Sequence, residues 1–174
     1  MDDDVAAIIL EPHFDAVRDL FAAFVPEPGH RGLVELADTD FRVDVSMHDK
    51  ERHFAGTRHD GKRILLAPDI VGLPVETVVA ILAHEFGHAA DFRYPGRWIV
   101  PRAGSGKAVW IEDVQVDTKE ARRWQALWRD RSADEIEWAA DGIAETVTGK
   151  RLGYCGPCML QCLRGGVERP AGLR

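Results

Sequence analysis

Between residues 4 and 25 the apolar positions Val5, Ile8, Ile9, Phe14, Val17, Leu20, Phe21 and Phe24 fall at helical spacing. Steps of three and four residues gather side chains on one side of a helix. Pro12 lacks an amide hydrogen, so it predicts a kink or a split into two N-terminal helices. PEPGHRG, residues 26–32, interrupts the pattern with turn-forming residues. The period then falls to two. FRVDVSM sets Phe41, Val43, Val45 and Met47 on one face, as a strand does. RHFAGTRHDGKRILLAP reads as a hairpin turning at Asp60-Gly61, with ILLA, residues 64–67, as a short buried strand.

Pro74 opens a long helix whose apolar face runs Val75, Val78, Val79, Leu82, Phe86 and Ala89. Residues 94–108 are loop-like, and helices return at 112–130 and 133–149. Ser132 suits an N-cap and Gly149 a C-terminal stop. The expected architecture is one α+β domain over residues 1–174. It has N-terminal helices, a small mostly antiparallel sheet, a long central helix and C-terminal helices.

Within the long helix, ILAHEFGHAADF holds His84, Glu85 and His88 in the order H-E-x-x-H. Positions i and i+4 lie one turn apart on one face, so both imidazoles can serve one metal ion. Glu85 lies beside that face, within reach of a metal-bound water, and Gly87 leaves room for something to approach. The bland alternative is two histidines sharing a helix face. A catalytic zinc takes three protein ligands and a water. EIEWAADGIAE, residues 135–145, offers Glu137 and Asp141 at i and i+4. Glu137 can reach the metal, and Asp141 can accept a hydrogen bond from a ligand histidine's second nitrogen. Asp91, Asp141 and Glu145 are the other carboxylates that could serve, Asp91 only in a strained site.

HEFGH followed by E-W-A-A-D resembles the gluzincin clan of zinc metallopeptidases, whose pattern is H-E-x-x-H and then E-x-x-x-D. The E-x-x-A-D form is similar to the heat-shock and prenyl-protein peptidases of that clan, which are membrane-embedded. The soluble ImmA/IrrE-like proteases are similar as well, with Trp138 here standing where they carry Ala. Residues 75–92 and 134–148 carry the resemblance. It implies a zincin-like fold and peptide hydrolysis at zinc held by His84, His88 and Glu137, with Glu85 as general base. It implies a protein or peptide substrate. Tyr154, Tyr94 and Arg97 are candidates to steady an oxyanion, and the strand at 64–67 is a candidate edge for an extended peptide.

A net charge of −7 disfavours binding to nucleic acid. Arg122, Arg123, Arg129 and Arg131 sit among acids and read as a solvated helical face. The acidic start MDDDVAAIIL is unlike a secretory signal, and no run of ~18 apolar residues could span a membrane, so a cytoplasmic protein is expected. Cys155, Cys158 and Cys162 include C-G-P-C, the tetrapeptide of thioredoxin-like enzymes, but no strands lie behind it. Buried thiols or an adventitious disulfide is the simpler reading. AGSGK, residues 103–107, lacks the glycine offset of a phosphate loop. Two readings therefore stand beside the peptidase. One is a structural or binding protein of zincin fold with a non-catalytic metal site. The other is a thiol-disulfide oxidoreductase.

Overall fold

The first helix, α1, spans Asp3–Ala23 and is capped by the Asp2 side chain, which accepts from the Asp4 amide at 2.9 Å. It runs unbroken through Pro12, so the expected split does not occur. Pro12 lies on the exposed side, where the Ile8 carbonyl that it leaves unpaired can meet water. Ala6, Leu10, Val17 and Phe21 form its buried stripe. This computed structural model describes residues 2–25, 33, 42–45, 55–57, 61–99, 107–110 and 118–149.

Three short strands follow: β1 (Arg42–Asp44), β2 (Ala55–Thr57) and β3 (Arg63–Leu66). They form a sheet in the order β1-β3-β2, with β1 parallel and β2 antiparallel to β3. The sheet is therefore mixed rather than mostly antiparallel. β3 is its middle strand, so residues 64–67 offer no open edge; the edge strand of the hairpin is β2. Gly61 takes φ 65° as the hairpin turn requires, while Asp60 lies outside the described residues. The turn rests on the long helix, because an added Cβ at Gly61 would fall 2.8 Å from the Ala89 carbonyl oxygen.

Side chains alternate between the two faces of the sheet. Val43, Ala55, Thr57, Ile64 and Leu66 share one face by register, and Ile64 and Leu66 are fully buried there. The other face carries the Arg63–Asp44 ion pair, 3.3 Å apart. A short 3-10 helix, Pro68–Gly72, leads to α2 (Val75–Arg93), with Pro74 at its N-cap. Every residue of α2 from Ile81 to Asp91 is buried. One side of α2 meets α1 and the sheet and the other meets α4, so its burial exceeds the single face expected.

The segment expected as loop, residues 94–108, contains a strand, β4 (Trp98–Ile99), which pairs antiparallel with β5 (Val109–Trp110) just beyond it as a two-stranded ribbon. Trp98 and Trp110 face each other across it, 5.0 Å between ring centroids. Helix α3 covers Thr118–Arg129 and α4 covers Ala133–Thr148. Ser132 and Glu135 cap α4 reciprocally, and Gly149 closes it at φ 69°. The described residues thus form an α+β fold of four α-helices, a three-stranded sheet and a small ribbon. None of the described helices is long and apolar enough to cross a membrane.

Candidate metal centre

The site arises where α2 crosses α4. Gly87 faces Ala140, and a Cβ at Gly87 would overlap the Ala140 carbonyl oxygen and lie 3.0 Å from its Cα. What approaches Gly87 is therefore the neighbouring helix. Ala144, one turn along α4 from Ala140, is also small and fully buried. Close contact of the two backbones sets the side chains on either side of the crossing against each other.

Those side chains are His84 and His88 from α2 and Glu137 and Asp141 from α4. The Nε2 atom of His84 lies 3.0 Å from Glu137 Oε2, and that of His88 lies 3.5 Å from Glu137 Oε1. One carboxylate thus presents an oxygen to each imidazole. The Nδ1–H of His84 donates to Asp141 Oδ1 at 2.7 Å. Both histidine rings are buried and meet edge to face, with centroids 4.6 Å apart. His88 also stacks on Phe92 at 5.7 Å. Its Nδ1 is buried without a hydrogen-bond partner among the described residues.

The ligand atoms of His84, His88 and Glu137 all lie within 4.8 Å of one another, a group that can hold a metal ion. The donor chemistry fits one closely. His84 has a carboxylate oxygen at each nitrogen, so in a neutral ring one lone pair would face a negative oxygen. A cation at Nε2, either a proton or a metal, removes that conflict. Bonds of ~2.0–2.1 Å in a tetrahedron put neighbouring ligand atoms about 3.3 Å apart. The imidazole-to-carboxylate separations, 3.0 Å to Oε2 and 3.5 Å to Oε1, are of that order, each to a different oxygen of Glu137. Without a metal the proton takes this place. Burial disfavours the charged ring, but hydrogen bonds to Asp141 and Glu137, with the field of Asp141 and Glu85, outweigh it and raise His84 to about 10. Burial likewise opposes ionisation of Glu137, yet its bonds with His84 and His88 hold it well below the usual carboxylate range.

Glu85 is buried, with 6% of its surface exposed. The Thr57 hydroxyl lies 2.7 Å from Glu85 Oε2 and 3.0 Å from the Glu85 carbonyl oxygen. Thr57 carries no mark in the sequence that links it to Glu85, since the two are 28 residues apart. Asp91 is placed elsewhere. It is fully buried and accepts from Trp128 Nε1 at 3.0 Å and from the Arg131 guanidinium. Arg131 is correspondingly no part of a solvated face, unlike the exposed Arg122, Arg123 and Arg129. Asp141 lies against the outer nitrogen of His84. Glu145, a turn further along α4, forms no ion pair with either histidine among the described residues. Tyr94 packs edge-on against Trp110 at 5.6 Å. Tyr154, Cys155, Cys158 and Cys162 lie outside the described residues. No protein-family model, curated protein or solved structure matches the chain.

Proposed function

We propose that the protein is a zinc-dependent metallopeptidase in which His84, His88 and Glu137 hold one zinc ion and Glu85 is the general base. The observation that carries this reading is the crossing of the H-E-x-x-H helix with the E-x-x-x-D helix. It turns both Nε2 atoms toward the two oxygens of Glu137 and keeps Glu85 buried one residue from His84. Zinc bound there supplies a Lewis acid that polarises a carbonyl and lowers the pKa of a water toward ~7.

The chain's own residues have distinct tasks. Asp141 keeps the proton on His84 Nδ1, which leaves the Nε2 lone pair for the metal. The carboxylate of Glu85 takes a proton from the attacking water and returns it to the leaving amine. Among the described residues β2 is an edge strand of the sheet, and it is the strand by which an extended peptide would pair. A purely structural metal site needs no general base, so a glutamate buried beside the ligand histidines favours the enzyme reading.

Metal analysis of the purified protein should find about one zinc per chain. His84→Ala and His88→Ala should each abolish stoichiometric zinc. Glu85→Gln should keep the zinc and lower cleavage of casein, or of any substrate found, by about 10²-fold or more. A Glu85→Gln protein that cuts as fast as the parent would exclude the general-base role. Full zinc in the His84/His88 double variant would put the metal elsewhere.

A further inference from the structure

We propose that Thr57 is the positioning residue of Glu85, a clamp from the sheet that aims the carboxylate of the base; this rests on the general-base reading of Glu85. On the sheet face that it shares with Val43, Ala55, Ile64 and Leu66, Thr57 is the one polar side chain among the described strand residues. A hydroxyl on an otherwise apolar, core-facing surface calls for a buried partner. That partner is Glu85, reached at both Oε2 (2.7 Å) and the main-chain oxygen (3.0 Å).

The single hydroxyl proton is shared between two acceptors of one residue, the shorter contact being to Oε2, and this holds the carboxylate relative to its own backbone. A glutamate on a helix has three rotatable torsions, whereas threonine in a strand is stiff at χ1. The register that pairs Thr57 with Ile64 anchors the clamp in the sheet. The position of the base is thereby set by the sheet as well as by α2. The clamp also selects the reacting oxygen. Oε2 is engaged by Thr57, and Oε1 has no hydrogen-bond partner among the described residues. A proton leaving water for Oε1 leaves the Thr57–Oε2 hydrogen bond intact, since the neutral acid still accepts at Oε2. Thr57 therefore holds Glu85 in both protonation states without taking the proton itself.

The test uses the zinc-loaded full chain and acetohydroxamic acid, a zinc chelator that gives up a proton to a neighbouring base on binding. Parent, T57V, T57A, T57S and E85Q are compared by metal analysis and by calorimetric titration with this probe. All five should hold about one zinc, because Thr57 and Glu85 are not ligands. E85Q, T57V and T57A should bind the probe about tenfold or more weakly, as loss of a hydrogen bond to a charged group predicts. T57S, which restores the hydroxyl, should return to within about threefold of the parent. Parent-like binding by T57V and T57A beside a weakened E85Q would overturn the clamp and leave the base. Parent-like binding by E85Q, or no binding by the parent, would overturn the general-base reading and the clamp with it. Loss of zinc from both T57V and T57A would show that the hydroxyl supports the fold, which also overturns the assignment.

Discussion

His84 has no neutral state that satisfies both of its neighbours, because Asp141 and Glu137 each turn a carboxylate oxygen to one of its nitrogens. In the metal-free protein the ring holds its second proton up to about pH 10, against 6.5 for a free histidine. Zinc needs the Nε2 lone pair, so loading should release close to one proton per chain near neutral pH. Calorimetry in buffers of different ionisation enthalpy measures that number directly. A release near zero would mean that His84 is neutral before the metal arrives. The sign for stability follows from the raised pKa. The contribution of His84 to the metal-free fold is complete below 6.5 and is lost as pH climbs through about 10. Glu137 is shifted the other way, so its share is present above 4.5 and falls away in acid. Both shifts describe one interaction and are not to be added. Thermal melts of the metal-free protein should therefore weaken from pH 7 to 10, and His84→Ala should flatten that slope.

At the level of elements, the site depends on how closely α2 and α4 can approach. Alanine normally favours a helix over glycine by ~1 kcal/mol. At Gly87 the sign should reverse, because the new Cβ would meet the backbone of Ala140, which no side-chain rotation can clear. Gly87→Ala should destabilise by about 1–3 kcal/mol, the usual range for overpacking, and should lower zinc content by moving Glu137 away from the histidines. A stabilised variant with full zinc would show that the crossing is looser than the geometry states. This crossing also separates what could be read in the chain from what could not. His84, His88, Glu137 and Asp141 were legible because each pair repeats at i, i+4 on a helix whose ends are marked by Pro74, Ser132 and Gly149. Chain order, by contrast, says nothing of strand order. The strand at 64–67 read as an edge, and only the pairing of β1 and β2 on its two sides makes it central. Thr57 and the Asp91–Arg131 pair were illegible for the same reason: their partners lie 28 and 40 residues away in the chain.

Across the whole molecule, the C-terminal end of α2 is tied to the junction between α3 and α4 by a charge pair. Asp91 is fully buried and Arg131 nearly so, with 12% of its side chain exposed. Trp128 adds its indole N–H to the same carboxylate and lies 5.1 Å beneath the guanidinium. Buried pairs of this kind seldom add net stability over apolar residues, yet breaking one side leaves an uncompensated charge. Arg131→Met should therefore cost about 3–5 kcal/mol in denaturant unfolding. The double variant Asp91→Asn/Arg131→Met removes the stranded charge and keeps an acceptor for Trp128, so it should recover most of that loss. Neither residue belongs to the His84, His88 and Glu137 group, so under the proposed site every variant that folds should bind as much zinc as the parent. If the double variant were as unstable as Arg131→Met alone, the arginine would matter through its packing on Trp128 rather than through its charge. If zinc fell along with stability in both, Asp91 would be holding the His88 end of α2 in register with α4. The junction would then belong to the metal centre, and the two readings differ in that single measurement.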